Sequence, residues 1–264
     1  MASRVVALLS DFGLEDWYVG VMKSVVLTVN PKATVLDVVH TIPRQNVLAG
    51  SFALRASYGY LPPGAVVVAV VDPGVGTGRR ILCAEAGGRL FLAPDNGILS
   101  GVLAKEGRGR IVSVENDEYF LKPVSSTFHG RDIFASVAGH LSLGLSPDRL
   151  GPEVKELEMI EAPLPEVRDD AITLTVEWID SFGNLITDCS EALAVDLGAR
   201  WGKLSIAGVG GRPVSMVVSY ESAGEGELLA IIGSSGYLEI SVREGSASQL
   251  LGLEIGDRFE LKPG

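Results

Sequence analysis

Residues Ala65 to Val71 read AVVVAVV, an apolar run without one polar break. A strand of that kind tolerates water on neither face, so it belongs in a parallel sheet with helices on both sides. The rest of the first half fits such a sheet. Val5–Leu9 and Thr34–Val39 are further strand-like runs. Asp16–Val29 reads as a helix, with Trp17, Val21, Ser24, Val25 and Thr28 at helical spacing and Asn30-Pro31 as its stop. Gln45–Leu61 reads as a second helix, ended by Pro62-Pro63-Gly64. Strands at Ile81–Glu85 and Arg89–Leu92, a helix after Asp95-Asn96-Gly97 and another over Arg131–Leu143 continue the series. This β-α-β-α-β order predicts a mainly parallel, helix-covered sheet.

The texture changes between Pro147 and Asp170, which is rich in Pro and Glu and reads as a crossing between domains. From Ala171 onward short alternating strands are separated by Gly-rich turns. Ile172–Ile179, Lys203–Ile206, Pro213–Val218, Leu228–Ile232 and Tyr237–Val242 predict a small antiparallel barrel or sandwich. The expected division is an N-terminal α/β domain over 1–165 and a smaller C-terminal β domain over 166–264.

Charge narrows the partners. Asp and Glu outnumber Lys and Arg 33 to 22, a formal net charge of −11. Such a surface repels phosphate backbones and anionic bilayers, so nucleic acid and membrane are not expected partners. Cys83 and Cys189 form no C-x-x-C pair and read as buried residues of a reducing compartment. The opening MASRVVALLSDFG reads as a strand rather than a signal peptide, and no stretch has the length of a membrane span. A cytoplasmic location is expected.

In an open α/β sheet, ligands bind beyond the carboxyl ends of the strands. Three polar clusters fall there: Ser10-Asp11-Phe12-Gly13, Asp72 to Arg79, and Pro94-Asp95-Asn96-Gly97. Each alone is also what an ordinary turn requires. Asp72 and Arg79 stand at the two ends of one glycine-bent loop, as a catalytic pair or as an ion pair that merely closes the loop. Of the three histidines, His129 lies just before a predicted helix on the polar rim, whereas His40 and His140 read as structural. No H-E-x-x-H, Cys/His cluster, calcium loop, P-loop, G-x-G-x-x-G or G-x-S-x-G occurs, so neither a metal nor another cofactor is expected. In the second half, Asp180-Ser181-Phe182-Gly183-Asn184 sets an aromatic ring beside an amide. That pairing suits a flat heterocycle, or a turn with a core phenylalanine. Gly233 to Glu239 is a second turn able to carry ligand contacts, and Trp17, Trp178 and Trp201 read as core or interface residues.

Together these segments resemble the S-adenosylmethionine hydroxide adenosyltransferase family, the S-adenosylmethionine hydrolases, whose relatives include fluorinases and chlorinases. The motifs that carry the resemblance are Leu9-Ser10-Asp11-Phe12-Gly13, Val71-Asp72-Pro73-Gly74-Val75-Gly76-Thr77, Ala93-Pro94-Asp95-Asn96-Gly97, Thr127-Phe128-His129-Gly130-Arg131-Asp132 and Phe182-Gly183-Asn184. Gly233 to Ile240 extends it toward the end of the chain. The resemblance implies an N-terminal α/β domain, a C-terminal β-barrel and a homotrimer with sites between subunits. It implies hydrolysis of S-adenosylmethionine to adenosine and methionine by attack of water at C5′. Asp72, Arg79 and His129 match the family's water-handling set, with Arg79 stabilising hydroxide character and His129 as the expected proton acceptor. Asp11 matches the ribose-binding aspartate. Asp180, Phe182, Asn184, Ser234, Glu239 and the backbone of Val242 match the contacts to adenosine and methionine. The halogenating relatives differ at the positions of Asp72 and His129, and carry a halide-contacting serine where this chain has Gly130. Retention of Asp72, His129 and Gly130 favours water as the nucleophile. The alternatives are a chlorinase-like halogenase, revealed by 5′-halo-adenosine, and a non-catalytic adenosine or S-adenosylmethionine binding module, revealed by binding without turnover.

Overall fold

The computed structural model describes residues 5–201, 204–207 and 211–264. The chain divides into two compact units, Met1–Ala162 and Pro163–Gly264.

In the first unit, β1 (Val5–Ser10), α1 (Tyr18–Val29), β2 (Thr34–Val39), α2 (Val47–Ser57) and β3 (Val66–Val70) follow in order. The hairpin β4 (Ile81–Ala86) and β5 (Arg89–Pro94), then α3 (Ser100–Glu106) and β6 (Ile111–Ser113), complete the sheet side. A π-helical stretch, Gly130–Ala135, runs into α4 (Ser136–Ser142). The sheet has the order β2-β1-β3-β5-β4-β6. The β1–β2, β1–β3 and β3–β5 pairs are parallel, while β4 runs antiparallel to both β5 and β6.

Covering the sheet on both sides is what the apolar runs require. Val6, Leu8 and Val68 pack with Met22 and Val26 of α1 and Val137 of α4. On the α2 side, Tyr58 meets Phe91 of β5 edge-on, with ring centroids 5.9 Å apart. Every residue of β3 is buried, as its sequence demands. Because β1, β3 and β5 are parallel neighbours, the loops after them leave the sheet at one edge.

Helix α1 differs from expectation in start and face. It begins at Tyr18, and the residues it buries are Val19, Met22 and Val26 rather than the Val21–Val25–Thr28 row. Trp17 is 69% exposed and belongs to no core. Valines occupy several sides of this helix, so spacing alone does not choose a face; packing against α4 does. The expected Gln45–Leu61 helix is capped by Asn46, whose side chain accepts from Ala49 N, and ends in a 3-10 turn at Tyr58–Tyr60. His40 is structural, buried between Ser10 Oγ at 2.7 Å and Asp37 Oδ1 at 3.1 Å.

The second unit runs β7 (Glu166–Val167), β8 (Ile172–Ile179), β9 (Leu185–Ser190), α5 (Glu191–Trp201), β10 (Leu204–Ala207) and β11 (Arg212–Met216). It continues with β12 (Leu228–Ile232), β13 (Tyr237–Val242), α6 (Ala247–Leu251) and β14 (Arg258–Pro263). Strands β14-β10-β11-β12-β13-β9-β8 follow one another, and β14 pairs back to β8, closing a barrel. All its pairings are antiparallel except β11–β12. Inward-facing Leu174, Val176, Leu185, Leu238 and Ile240 fill it. Lys203, expected to open a strand, lies outside the described residues. Strands β6, β9 and β14 and helix α5 were not anticipated: Thr187-Asp188 interrupts the apolar pattern of β9, and β14 alternates charged with apolar residues.

Candidate active site

The loop after β3 starts with Asp72 and returns with Arg79. Its bend requires Gly76, whose φ is +77°; a Cβ there would lie 2.2 Å from Ser126 O on the neighbouring loop. The fold-back brings Arg79 Nε to 2.8 Å from Asp72 Oδ1 and 2.9 Å from Oδ2, with Nη2 also on Oδ2. The same Nη2 lies 3.1 Å from His129 Nδ1. The residues expected from sequence to handle water therefore form one connected chain, Asp72–Arg79–His129. The Arg79 and Asp72 side chains are only 10% and 5% exposed. Beneath the guanidinium lies the ring of Phe134, its centroid 5.9 Å from Arg79 Cζ.

An arginine can only donate, so His129 Nδ1 is the acceptor and the neutral ring carries its hydrogen on Nε2. Burial, and then the positive charge of Arg79, hold the His129 pKa below its ordinary value; Asp72 and Asp132 pull weakly the other way. Protonation would set N–H against N–H.

A cavity of about 470 Å³ opens beside this chain, lined by Asp11, Tyr18, Asp72, Phe128, His129 and Arg131 among others. Asp11 Oδ2 accepts from Gln45 N at 2.8 Å. Phe12, Tyr18 and Phe128 form an aromatic wall, Tyr18 and Phe128 meeting edge-on at 5.1 Å. Tyr18, Phe128 and Arg131 had not been singled out as site residues, although Phe128 and Arg131 flank His129 in sequence. The third polar cluster is a fastening. Asp95 is paired to Arg80 and accepts from Glu158 N at 2.9 Å, and Asn96 Nδ2 donates to Val71 O at 2.8 Å.

In the second unit, Asp180, Phe182, Asn184, Ser234, Glu239 and Val242 all line one cavity of about 830 Å³. Asp180 folds its own turn: Oδ1 accepts from Phe182 N and Asn184 N, and Oδ2 from Asn184 Nδ2, each at 2.9 Å. That turn holds Phe182 outward and 76% exposed, so Phe182 is not a core residue. Glu239 is buried, which raises its pKa; the hydroxyl of Tyr220, donating at 2.9 Å, opposes the rise, and Asp180 adds to it. Tyr220 and Arg243 share this cavity and had no sequence signal beyond a side chain able to bond. Among the described residues, no group of three or more His, Cys, Asp and Glu is arranged to hold a metal, and no helix is long and apolar enough to cross a membrane.

Two family descriptions match the chain: the SAM hydroxide adenosyltransferase N-terminal domain over residues 6–151 and its C-terminal domain over 174–260. A Thermus thermophilus protein named (R)-S-adenosyl-L-methionine hydrolase is 40% identical, the match covering 96% of this chain and 97% of that one. One of the same name from Salinispora tropica is 37% identical, with 98% of each chain covered. Relatives named fluorinase are more distant. The crystal structure of an uncharacterized conserved protein from Thermotoga maritima superposes with a TM-score of 0.91 at 36% identity, covering 97% of this chain and 99% of that one. Matched in both units and over nearly its whole length, the chain belongs to the SAM hydroxide adenosyltransferase family.

Proposed function

We propose that this chain hydrolyses S-adenosylmethionine to adenosine and methionine, with Asp72, Arg79 and His129 handling the water. The observation that carries the proposal is the continuous Asp72–Arg79–His129 connection, whose Asp72 and His129 ends line a cavity, in a chain of this family. The water oxygen bonds to C5′ as the C5′–S bond breaks, and the sulfonium departs as neutral methionine. That leaving group needs no acid. Holding water in line with the C5′–S bond lowers the barrier by up to about 7–11 kcal/mol in favourable systems.

Arg79 has Nε and Nη2 committed to Asp72 and His129, which leaves Nη1 to meet the developing negative charge on the water. We assign one role differently from the expectation. With its Nδ1 lone pair facing Arg79, His129 holds the guanidinium and does not reach for the water's proton. As the C–O bond forms, the Asp72 carboxylate draws off one of the water's protons, so the attacking oxygen takes on hydroxide character and leaves as the neutral 5′-hydroxyl of adenosine. Asp11 suits the ribose hydroxyls. The cavity of the second unit, with Phe182, Asn184, Ser234, Glu239 and Val242, suits the adenine ring and the methionine end. Each cavity offers only part of what the substrate needs, which supports a homotrimer whose neighbouring subunits complete each site. No metal or other cofactor takes part in this reaction, and with Cys83 and Cys189 both free and buried a cytoplasmic setting suits the chain.

Incubation with S-adenosylmethionine in 18O-labelled water, with and without added chloride or fluoride, tests the reading by mass spectrometry. Label in the adenosine 5′-hydroxyl is the expected result; 5′-halo-adenosine as the main product, or binding without turnover, would sink it. The pH profile is a second check. Neutral His129 accepts from Arg79, so kcat falls as pH drops through a histidine pKa depressed below 6.5, and is retained above it. His129→Asn offers Arg79 an acceptor that does not titrate, and should flatten that acid limb.

A further inference from the structure

Directly after His129 the chain enters the π-helical stretch Gly130–Ala135, an irregularity common at functional sites. Its third residue, Asp132, is completely buried, an expensive place for a carboxylate that no step above uses. The carboxylate is fully engaged. Oδ2 accepts from Ser125 N at 2.7 Å and from Arg131 Nη2 at 3.0 Å, and Oδ1 accepts from Arg131 Nε at 2.5 Å. Its backbone carbonyl accepts from Leu121 N at 2.8 Å. Asp132 thereby ties down both ends of the Leu121–Ser125 segment. Ser125 Oγ in turn accepts from Thr127 N at 3.2 Å, and the carbonyl of Ser126 rests on Gly76 of the Asp72–Arg79 loop. Arg131 lies over Phe128, 5.4 Å from its ring centroid, on the cavity wall.

We infer that Asp132 is a positioning residue for the reaction proposed above: through Ser125 and Arg131 it locks the loop that seats His129 against Arg79. The charges that face His129 are Arg79 and Asp72 from the loop after β3 and Asp132 from its own segment. Asp132 thus acts on His129 in two ways, by placing its loop and by its negative field, which Arg131 partly offsets.

The test pairs Asp132→Asn with Arg131→Gln, a change at a partly exposed side chain. Asp132→Asn should lower kcat by roughly 10- to 100-fold, the cost of a misplaced catalytic group, with little change in KM. Removing the carboxylate's charge also moves the acid limb of the pH profile to lower pH. Arg131→Gln leaves that charge less compensated and moves the limb to higher pH. A merely structural aspartate would cost stability and activity with the limb unmoved in both variants, and that result overturns the inference. Arg131→Gln carries the test alone if Asp132→Asn does not fold. Titrating His129 by NMR reads the same opposite shifts without substrate. If the wild-type chain releases no adenosine while the two variants still show the opposite shifts, the hydrolase reading fails and the seating of His129 by Asp132 stands.

Discussion

Arg79→Ala is expected to reduce adenosine release by about a thousandfold, the upper end of what one preorganised donor supplies at a developing negative charge. The loss is large because one guanidinium serves the Asp72 carboxylate through Nε and Nη2 and His129 Nδ1 through Nη2, and in the proposed mechanism it also meets the water through Nη1. Arg79→Lys should recover little of it, since a single ammonium on a flexible stem cannot span Asp72 and His129 together. The truncation also leaves the Asp72 side chain, 5% exposed, without its counter-ion, so the variant melts at lower temperature than the parent. Chromatography of adenosine over a time course reads the rate, and calorimetry the stability. Near-parental turnover by Arg79→Ala would remove the guanidinium from the mechanism.

Phe134→Ala should be among the most damaging core changes, costing about 3–5 kcal/mol of stability. Phe134 is wholly buried in the cluster that joins α1, α4 and the sheet. It also supports the Arg79 guanidinium from below, at 5.9 Å. The prediction therefore has two readouts. Denaturant unfolding should show the loss of stability, and turnover measured well below the new melting point should also fall, because the guanidinium has lost its floor. Loss of stability with unchanged turnover would mean that Asp72 and His129 alone position Arg79.

How far the sequence could be read depends on what each feature asks of its surroundings. The run Ala65–Val71 is unambiguous because every position must avoid water. Asp72 and Arg79 stand out because a glycine-bent loop brings its own ends together. In the second unit the turns Asp180–Asn184 and Gly233–Glu239 were readable as places for a ligand, the individual residues and Val242 only through the resemblance, and all six line a single cavity. The buried face of α1 was not readable, since valines on several sides leave the choice to α4. Strand β14 was missed because Arg258, Glu260 and Lys262 dilute an alternation that only barrel closure explains. The hydrogen placement on His129 lies beyond any pattern of residues. It follows from which of its nitrogens Arg79 reaches, and it is the reason the mechanism proposed above gives the proton to Asp72.

The pairing of β8 with β14, Ile172 opposite Leu261 and Thr175 opposite Arg258, has a consequence for how the molecule is made. During translation the ring stays incomplete until residues 258–263 have left the ribosome. Until then β8 and β10 lack the strand that joins them and offer bare backbone to any passing chain. The first unit builds its sheet from strands that pair early in synthesis, whereas the second waits on a long-range contact, the kind that slows folding. A nascent barrel is therefore the stage at which this polypeptide is most open to mispairing.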